Sequence, residues 1–177
     1  MKVYEFQAKE LFRKFGIPVP KGKVVNSLNE IEGVFREFPV SKVVLKAQVF
    51  VGGRGKAGGI KKADDLAEAK EKAGQILSMS IKGCPVKKLL VEEQMEIERE
   101  LYLSFILDRD NACFKMIFSP IGGVDIEELA EKHPEKLLML NTEYFPGLQG
   151  FQLREMLPML HDFAPPVRKE IYSIANN

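Results

Sequence analysis

Apolar residues recur at helical spacing in several stretches of the first half of the chain. From Tyr4 to Phe15, the residues Phe6, Leu11, Phe12 and Phe15 supply the apolar positions of a predicted helix, and Gly16 is placed for a left-handed C-terminal cap. The extended run Ile17-Pro18-Val19-Pro20 follows. Leu28, Ile31, Val34 and Phe35 gather on one face of a second helix, with Ser27 expected to cap it and Pro39 to close it. Leu66, Ala69, Ala73, Ile76 and Leu77 mark a third helix, with Asp64 and Asp65 near its positive end. Val43-Val44-Leu45 and Leu89-Leu90-Val91 read as short buried strands, and the first delivers the chain toward a glycine-rich stretch.

The second half changes character. Glu100 to Leu107, then Asp108-Arg109-Asp110-Asn111, then Ala112 to Phe118 has the pattern of a β-hairpin with a polar turn. A Gly122-Gly123 turn, a short helix from about Asp125, an apolar segment Leu137 to Leu140 and helical stretches around Gln152 to Leu157 and Val167 to Ala175 complete the chain. There is no internal repeat and no low-complexity linker, so two small lobes that pack are expected. The pattern is that of an α+β fold with antiparallel and mixed sheets and flanking helices.

Composition narrows the function classes. At 177 residues and 45% hydrophobic, the chain is able to bury a real core. Lys+Arg at 26 against Asp+Glu at 25 leaves a net charge of +1, so no global field draws nucleic acid or an anionic membrane, and any anion site must be local. The start Met1-Lys2-Val3-Tyr4-Glu5 has no apolar run after its lysine, and no stretch of about 18 apolar residues occurs. A soluble, cytoplasmic protein is expected. Cys84 and Cys113 lack disulfide or zinc spacing and read as ordinary thiols.

The candidate chemistry sits in Gly52-Gly53-Arg54-Gly55-Lys56-Ala57-Gly58-Gly59, whose backbone is able to take positive φ and to present N–H groups to an anion. A glycine-rich surface turn would have the same composition. Gly53-x-Gly55-x-x-Gly58 matches the dinucleotide fingerprint, but no acidic residue follows about 20 positions on to hold a ribose. A kinase loop would be followed by its strand lysine and a His-Arg-Asp loop, and neither occurs. A P-loop would need Ser or Thr where Ala57 stands. Lys46, at the end of Val43-Val44-Leu45-Lys46 and just before the loop, is either a lysine snorkelling to solvent or a phosphate ligand.

Four segments resemble the β subunits of succinyl-CoA synthetases and related ATP-grasp proteins. They are Glu5-Phe6-Gln7-Ala8-Lys9-Glu10-Leu11-Phe12 with Phe15 to Pro20, Val44 to Val49 leading into the glycine loop, Leu90-Val91-Glu92-Glu93 with Glu100-Leu101-Tyr102-Leu103, and Gly122-Gly123-Val124-Asp125-Ile126-Glu127. The resemblance implies an ATP-grasp fold that is C-terminally incomplete. Residues 21–95 would form one lobe and residues 1–20 plus 96–177 the other, with nucleotide between them. It assigns Lys46, Gly53, Arg54 and Gly55 to the phosphates of ATP or ADP. Glu92, Met95 and Glu100 fall on the adenosine side, Met95 through its backbone because its thioether is apolar.

The same resemblance implies coupling of phosphoryl transfer to formation of a CoA thioester, through a phosphohistidine carried by a partner α subunit. His133 and His161 are therefore not nominated for that role, and no catalytic residue is assigned to this chain. The carboxylate and asparagine ligands for magnesium are expected beyond Asn177, so the chain by itself is expected to be inactive. Relatives usually carry an acidic residue where Ile121 stands, which removes any polar role at that position. A citrate- or malate-specific ligase subunit, or a nucleotide-binding module without chemistry, fits the same motifs.

Overall fold

The computed structural model describes residues 2–37, 42–123, 125–142 and 148–176; the expected closing role of Pro39 and the motif position Val124 lie outside them. The contacts divide the chain into two units, Met1–Glu96 and Ile97–Asn177. By these contacts residues 1–20 fall with the first unit. The reason is electrostatic as well as steric, since Glu5 and Lys9 make ion pairs with Lys46 and Glu92 of the first sheet.

The first unit opens with helix α1, Glu5–Lys14. Its end is a full Schellman motif: Gly16 takes φ 74, its N–H donates to Arg13 O at 3.1 Å, and Ile17 N–H donates to Phe12 O at 2.9 Å. Strand β1 is Gly22–Val25. A 3-10 turn, Leu28–Glu30, leads into α2, Ile31–Glu37, which buries Ile31 and Val34. Ser27 does not cap through its side chain as expected. Its hydroxyl donates to Glu30 Oε1 at 2.8 Å instead, because the tight 3-10 turn brings that carboxylate within reach.

Strands β2 (Val43–Ala47) and β3 (Ile60–Ala63) flank the glycine loop. Helix α3 is Leu66–Leu77, capped by Asp65 Oδ1, which accepts from Glu68 N–H at 2.8 Å. A small hairpin pairs β4 (Ser80–Ile81) with β5 (Cys84–Pro85), and β6 is Leu89–Glu93. Strands β1 and β3 and the small hairpin escape the sequence pattern because they are short. Strand β3 is also cationic at Lys61 and Lys62, a device that protects sheet edges.

The main sheet of this unit has the order β1-β6-β2-β3, and every pairing is antiparallel. Its two faces carry different chemistry, as the period of two requires. Val43, Leu45, Ala47, Leu89 and Val91 enter one core with Ile31, Val34, Ala69, Ala73 and Ile76 of α2 and α3. A fully buried side chain such as Leu45 or Ile76 contributes about 1.5–3 kcal/mol. The alternate residues Lys46 and Glu92 are left on the opposite face. A slip of one residue between β2 and β6 would turn the apolar set of the shifted strand out of the core and its charged residue in, so the apolar pattern sets their position.

The second unit is a meander of β7 (Tyr102–Asp108), β8 (Cys113–Ser119) and β9 (Leu138–Thr142), with α4 (Ile126–Lys132) between the last two strands. The β7–β8 turn is held by Asp108, whose carboxyl is lowered to about 2 by the Asn111 side chain first and Lys115 next. Helices α5 (Gly150–Leu153) and α6 (Pro165–Asn176) flank a 3-10 segment, Arg154–Leu160. They pack Leu153, Met156, Leu160 and Ala175 against Met116, Phe118 and Leu140. No helix among the described residues is long and apolar enough to cross a membrane, and both cysteines are free and half-buried.

Candidate functional site

Lys46 and Glu92 meet because of strand register. Val44 lies opposite Glu92, so Lys46, two residues along, is Glu92's diagonal neighbour on the same face, within reach of a long side chain. Lys46 Nζ lies 2.6 Å from Glu92 Oε2 and 3.2 Å from Glu5 Oε1. Lys9 Nζ holds the other Glu92 oxygen and lies 3.1 Å from Glu5 Oε1. Arg54, from the glycine loop, places Nη1 2.8 Å from Glu5 Oε2 and donates from the same nitrogen to Ala47 O at 3.0 Å. Three cations therefore face two carboxylates, a surplus of one positive charge.

The cluster is deep. Glu92 is 2% exposed, and Gln48, two residues past Lys46, is 3% exposed. The Gln48 amide oxygen accepts the first-turn N–H of Phe6 at 3.3 Å, tying α1 to the sheet. Tyr4 stacks on Phe50 with ring centroids 3.9 Å apart, which pins the start of α1 to the entry of the glycine loop.

The titration of the cluster follows from its pairing. Burial pushes the Glu5 carboxyl up, but Lys46, Lys9 and Arg54 together outweigh it and lower its pKa from 4.5 to about 2. Burial likewise pulls Lys46 down, and Glu92 and Glu5 more than compensate, so its pKa is raised above 10.5. Glu5, with a depressed value, stabilises the fold fully above 4.5, and that contribution is lost as pH falls toward 2. Lys46, with a raised value, contributes fully below 10.5 and loses its part as pH rises through its folded value. Glu5→Gln is expected to cost roughly 2 kcal/mol at neutral pH, allowing for solvent screening of a part-exposed group. Urea unfolding of both proteins at about pH 6 and about pH 3 checks this. The gap between them should shrink at the lower pH, and an equal gap at both would exclude Glu5 as the titrating group.

The glycine loop is folded on itself more than its composition suggests. Gly53 and Gly58 take φ 80 and 76, and loop carbonyls accept from Ala57, Gly58 and Gly59 N–H. Among the described residues, no backbone carbonyl takes the N–H of Gly53, Arg54 or Gly55. Those amides adjoin the Arg54 guanidinium, an arrangement that suits an anion. Gly59 is closely packed, since a Cβ there would stand 2.6 Å from Ile81 Cδ1 and 3.2 Å from both Ala47 Cβ and Arg54 O, so a larger residue would require its neighbours to shift.

Of the residues nominated from the sequence, Lys46, Arg54 and Glu92 come together, with Gly53 and Gly55 on the adjoining loop. Met95 lies just past β6 and is 53% exposed. Glu100 belongs to the second unit, where its carbonyl accepts from Gly122 N–H at 2.8 Å and its carboxylate fills the space a Cβ on Gly123 would need. Glu5, Lys9 and Gln48 were not nominated. The spacing of Glu5 and Lys9, one helical turn apart, was the available signal for the first two.

A cleft of about 250 Å³ opens beside Glu92, lined in part by Phe6, Lys9, Gly22 and Leu90. Sites that enclose drug-sized ligands run from about 300 to 1,000 Å³, so this cleft fits part of a nucleotide rather than the whole. Lys46, Arg54 and the loop amides fit a phosphate group. Magnesium asks for a near-octahedral set of oxygens, and among the described residues no three His, Cys, Asp or Glu side chains converge to hold a metal.

Residues 2–175 match the model of the ATP-grasp domain family. The chain is 48% identical over 160 residues to the ADP-forming succinate–CoA ligase subunit beta of Desulfurococcus amylolyticus, covering 90% of this chain and 42% of that protein. It is 47% identical over 157 residues to the GDP-forming succinate–CoA ligase subunit beta of Thermus thermophilus, covering 89% and 41%. The chain thus spans less than half the length of these curated relatives. Among solved structures, the dinucleotide forming acetyl-coenzyme A synthetase 1 of Candidatus Korarchaeum cryptofilum superposes with a TM-score of 0.72 at 19% identity, covering 99% of this chain and 79% of that one. The ATP citrate lyase of Methanothrix soehngenii gives 0.72 at 21% identity, covering 99% and 43%. These structures share the fold.

Proposed function

The chain belongs to the ATP-grasp domain family, and from that premise we propose that it is the nucleotide-binding part of an acyl-CoA synthetase β subunit of the ADP-forming succinate–CoA ligase type. The observation that carries this reading is the convergence of Lys46 and Arg54 at a glycine loop whose Gly53 and Gly55 amides are available to an anion. In this reading Lys46, Gly53, Arg54 and Gly55 hold the phosphates of ATP or ADP. On the first unit, Glu92 and Met95 serve the adenosine. The similarity to succinate–CoA ligase β subunits at 47–48% identity supports the choice of ligase class.

Phosphoryl transfer is chiefly positioning and charge neutralisation, and this chain's residues supply the positioning. Lys46 leaves its carboxylate partners in part to meet the phosphate, and Glu92 stays paired through Lys9. Magnesium, when bound, neutralises phosphate charge, and its ligands are expected outside the described residues. CoA, a partner α subunit carrying a phosphohistidine and a cytoplasmic location belong to the same reading.

Calorimetric titration of the chain with ATP, ADP and adenosine tests it. ATP and ADP are expected to bind at least about 10-fold more tightly than adenosine, the difference coming from charge-assisted hydrogen bonds to phosphate. Equal affinity for all three would overturn the reading.

A further inference from the structure

A polyphosphate carries more negative charge than the Lys46 cluster has to spare. Three cations against two carboxylates leave a single surplus positive charge, and Lys9, Lys46 and Arg54 are all engaged with Glu5 or Glu92. A further cation stands at the loop from an element the nucleotide reading does not use.

That element is the β4–β5 hairpin, which forms a floor under the glycine loop. Met79 Cε, Ile81 Cδ1 and Lys82 Nζ stand 3.8, 2.6 and 3.6 Å from where a Cβ would lie on Gly58, Gly59 and Gly53 respectively. Ile81 and Val86 are buried, and Val86 N–H donates to Met79 O at 3.0 Å, closing the hairpin base. The hairpin tip is thereby held against the loop, with the Lys82 ammonium beside Gly53. Lys82 is exposed, and among the described residues no carboxylate pairs with it.

The backbone at Lys82 adds an independent observation. Lys82 and Gly83 take φ 48 and 79, a two-residue turn with both central residues left-handed. Such turns favour Asn-Gly, Asp-Gly or Gly-Gly, because a Cβ at the first position is strained. A lysine there costs stability that an asparagine would not. Backbone strain of this kind concentrates where a side chain serves a ligand.

We propose that Lys82 is a phosphate-binding residue of the glycine loop, supplying from the hairpin tip a cation that is not already neutralised. The proposal rests on the nucleotide reading above and extends its site to a second element of the first unit. An exposed lysine without this role would leave affinity untouched when replaced.

The test is Lys82→Asn, with Lys82→Arg and Lys46→Met alongside, each titrated with ATP and with adenosine and each followed in thermal unfolding. Lys82→Asn is expected to keep or raise the unfolding temperature, since Asn suits the turn, while weakening ATP by about 5- to 20-fold and leaving adenosine unchanged. Lys82→Arg should restore most of the ATP affinity. If Lys46→Met weakens ATP and Lys82→Asn does not, the Lys82 proposal fails and the nucleotide reading stands. If neither substitution weakens ATP, both fail.

Discussion

Glu92→Ala is expected to lower the unfolding free energy of the first unit by about 3–5 kcal/mol, the cost of removing one partner from a buried ion-pair network. Glu92 is 2% exposed and accepts from both Lys9 and Lys46, so its loss leaves two ammonium groups facing each other beside a single carboxylate, Glu5. The side chains of Lys9 and Lys46 remain 16% and 21% exposed, so water reaches them only in part and does not restore the lost pairing. The truncation also opens the wall of the cleft beside Phe6 and Leu90. Chemical denaturation of the wild type and of Glu92→Ala measures the effect. A loss under about 1 kcal/mol, the size of a surface ion pair, would mean that the cluster is solvated rather than buried.

Lys46→Met is expected to weaken ATP and ADP by about 10- to 100-fold and to leave adenosine unchanged, the equivalent of one or two charge-assisted hydrogen bonds. Methionine keeps the length and the apolar stem of lysine, so the packing along β2 survives while the charge is lost. The substitution also leaves Glu92 with Lys9 as its one remaining cation, which adds repulsion between the carboxylates and an incoming phosphate. Titration at low and at high ionic strength separates the two contributions, because long-range repulsion weakens with salt and a direct hydrogen bond does so much less. Unchanged affinity for ATP in Lys46→Met would remove Lys46 from the phosphate site.

Local chemistry was legible wherever it is self-contained. The Gly16 stop of α1, the full extent of α3 and the hairpin with its polar turn at Asp108 to Asn111 all follow from periodicity, caps and turn residues within a few positions. The two β-strand cores at Val43 and Leu89 were also legible, though each runs two residues further, to Ala47 and Glu93, than its apolar run. Strands β1 and β3 were not, because four residues without clear alternation carry too little pattern to tell from a loop.

The candidate site divides along the same line. The sequence by itself determined that a lysine follows the apolar run of a buried strand and that a glycine loop able to hold an anion comes after it. Only the tertiary structure decided that Lys46 pairs with Glu92, 46 residues away, and that Lys9 reaches the same carboxylate across 83 residues. It alone brought Glu5 to Arg54 and the Lys82 hairpin beneath the loop. The physical reason is that helix periods, caps and turns are encoded by neighbours in the chain. Strand register arises instead from burial of distant apolar faces, and the docking of α1 from ion pairs and a ring stack with residues far along the chain, so polar residues are carried to places that no local pattern records.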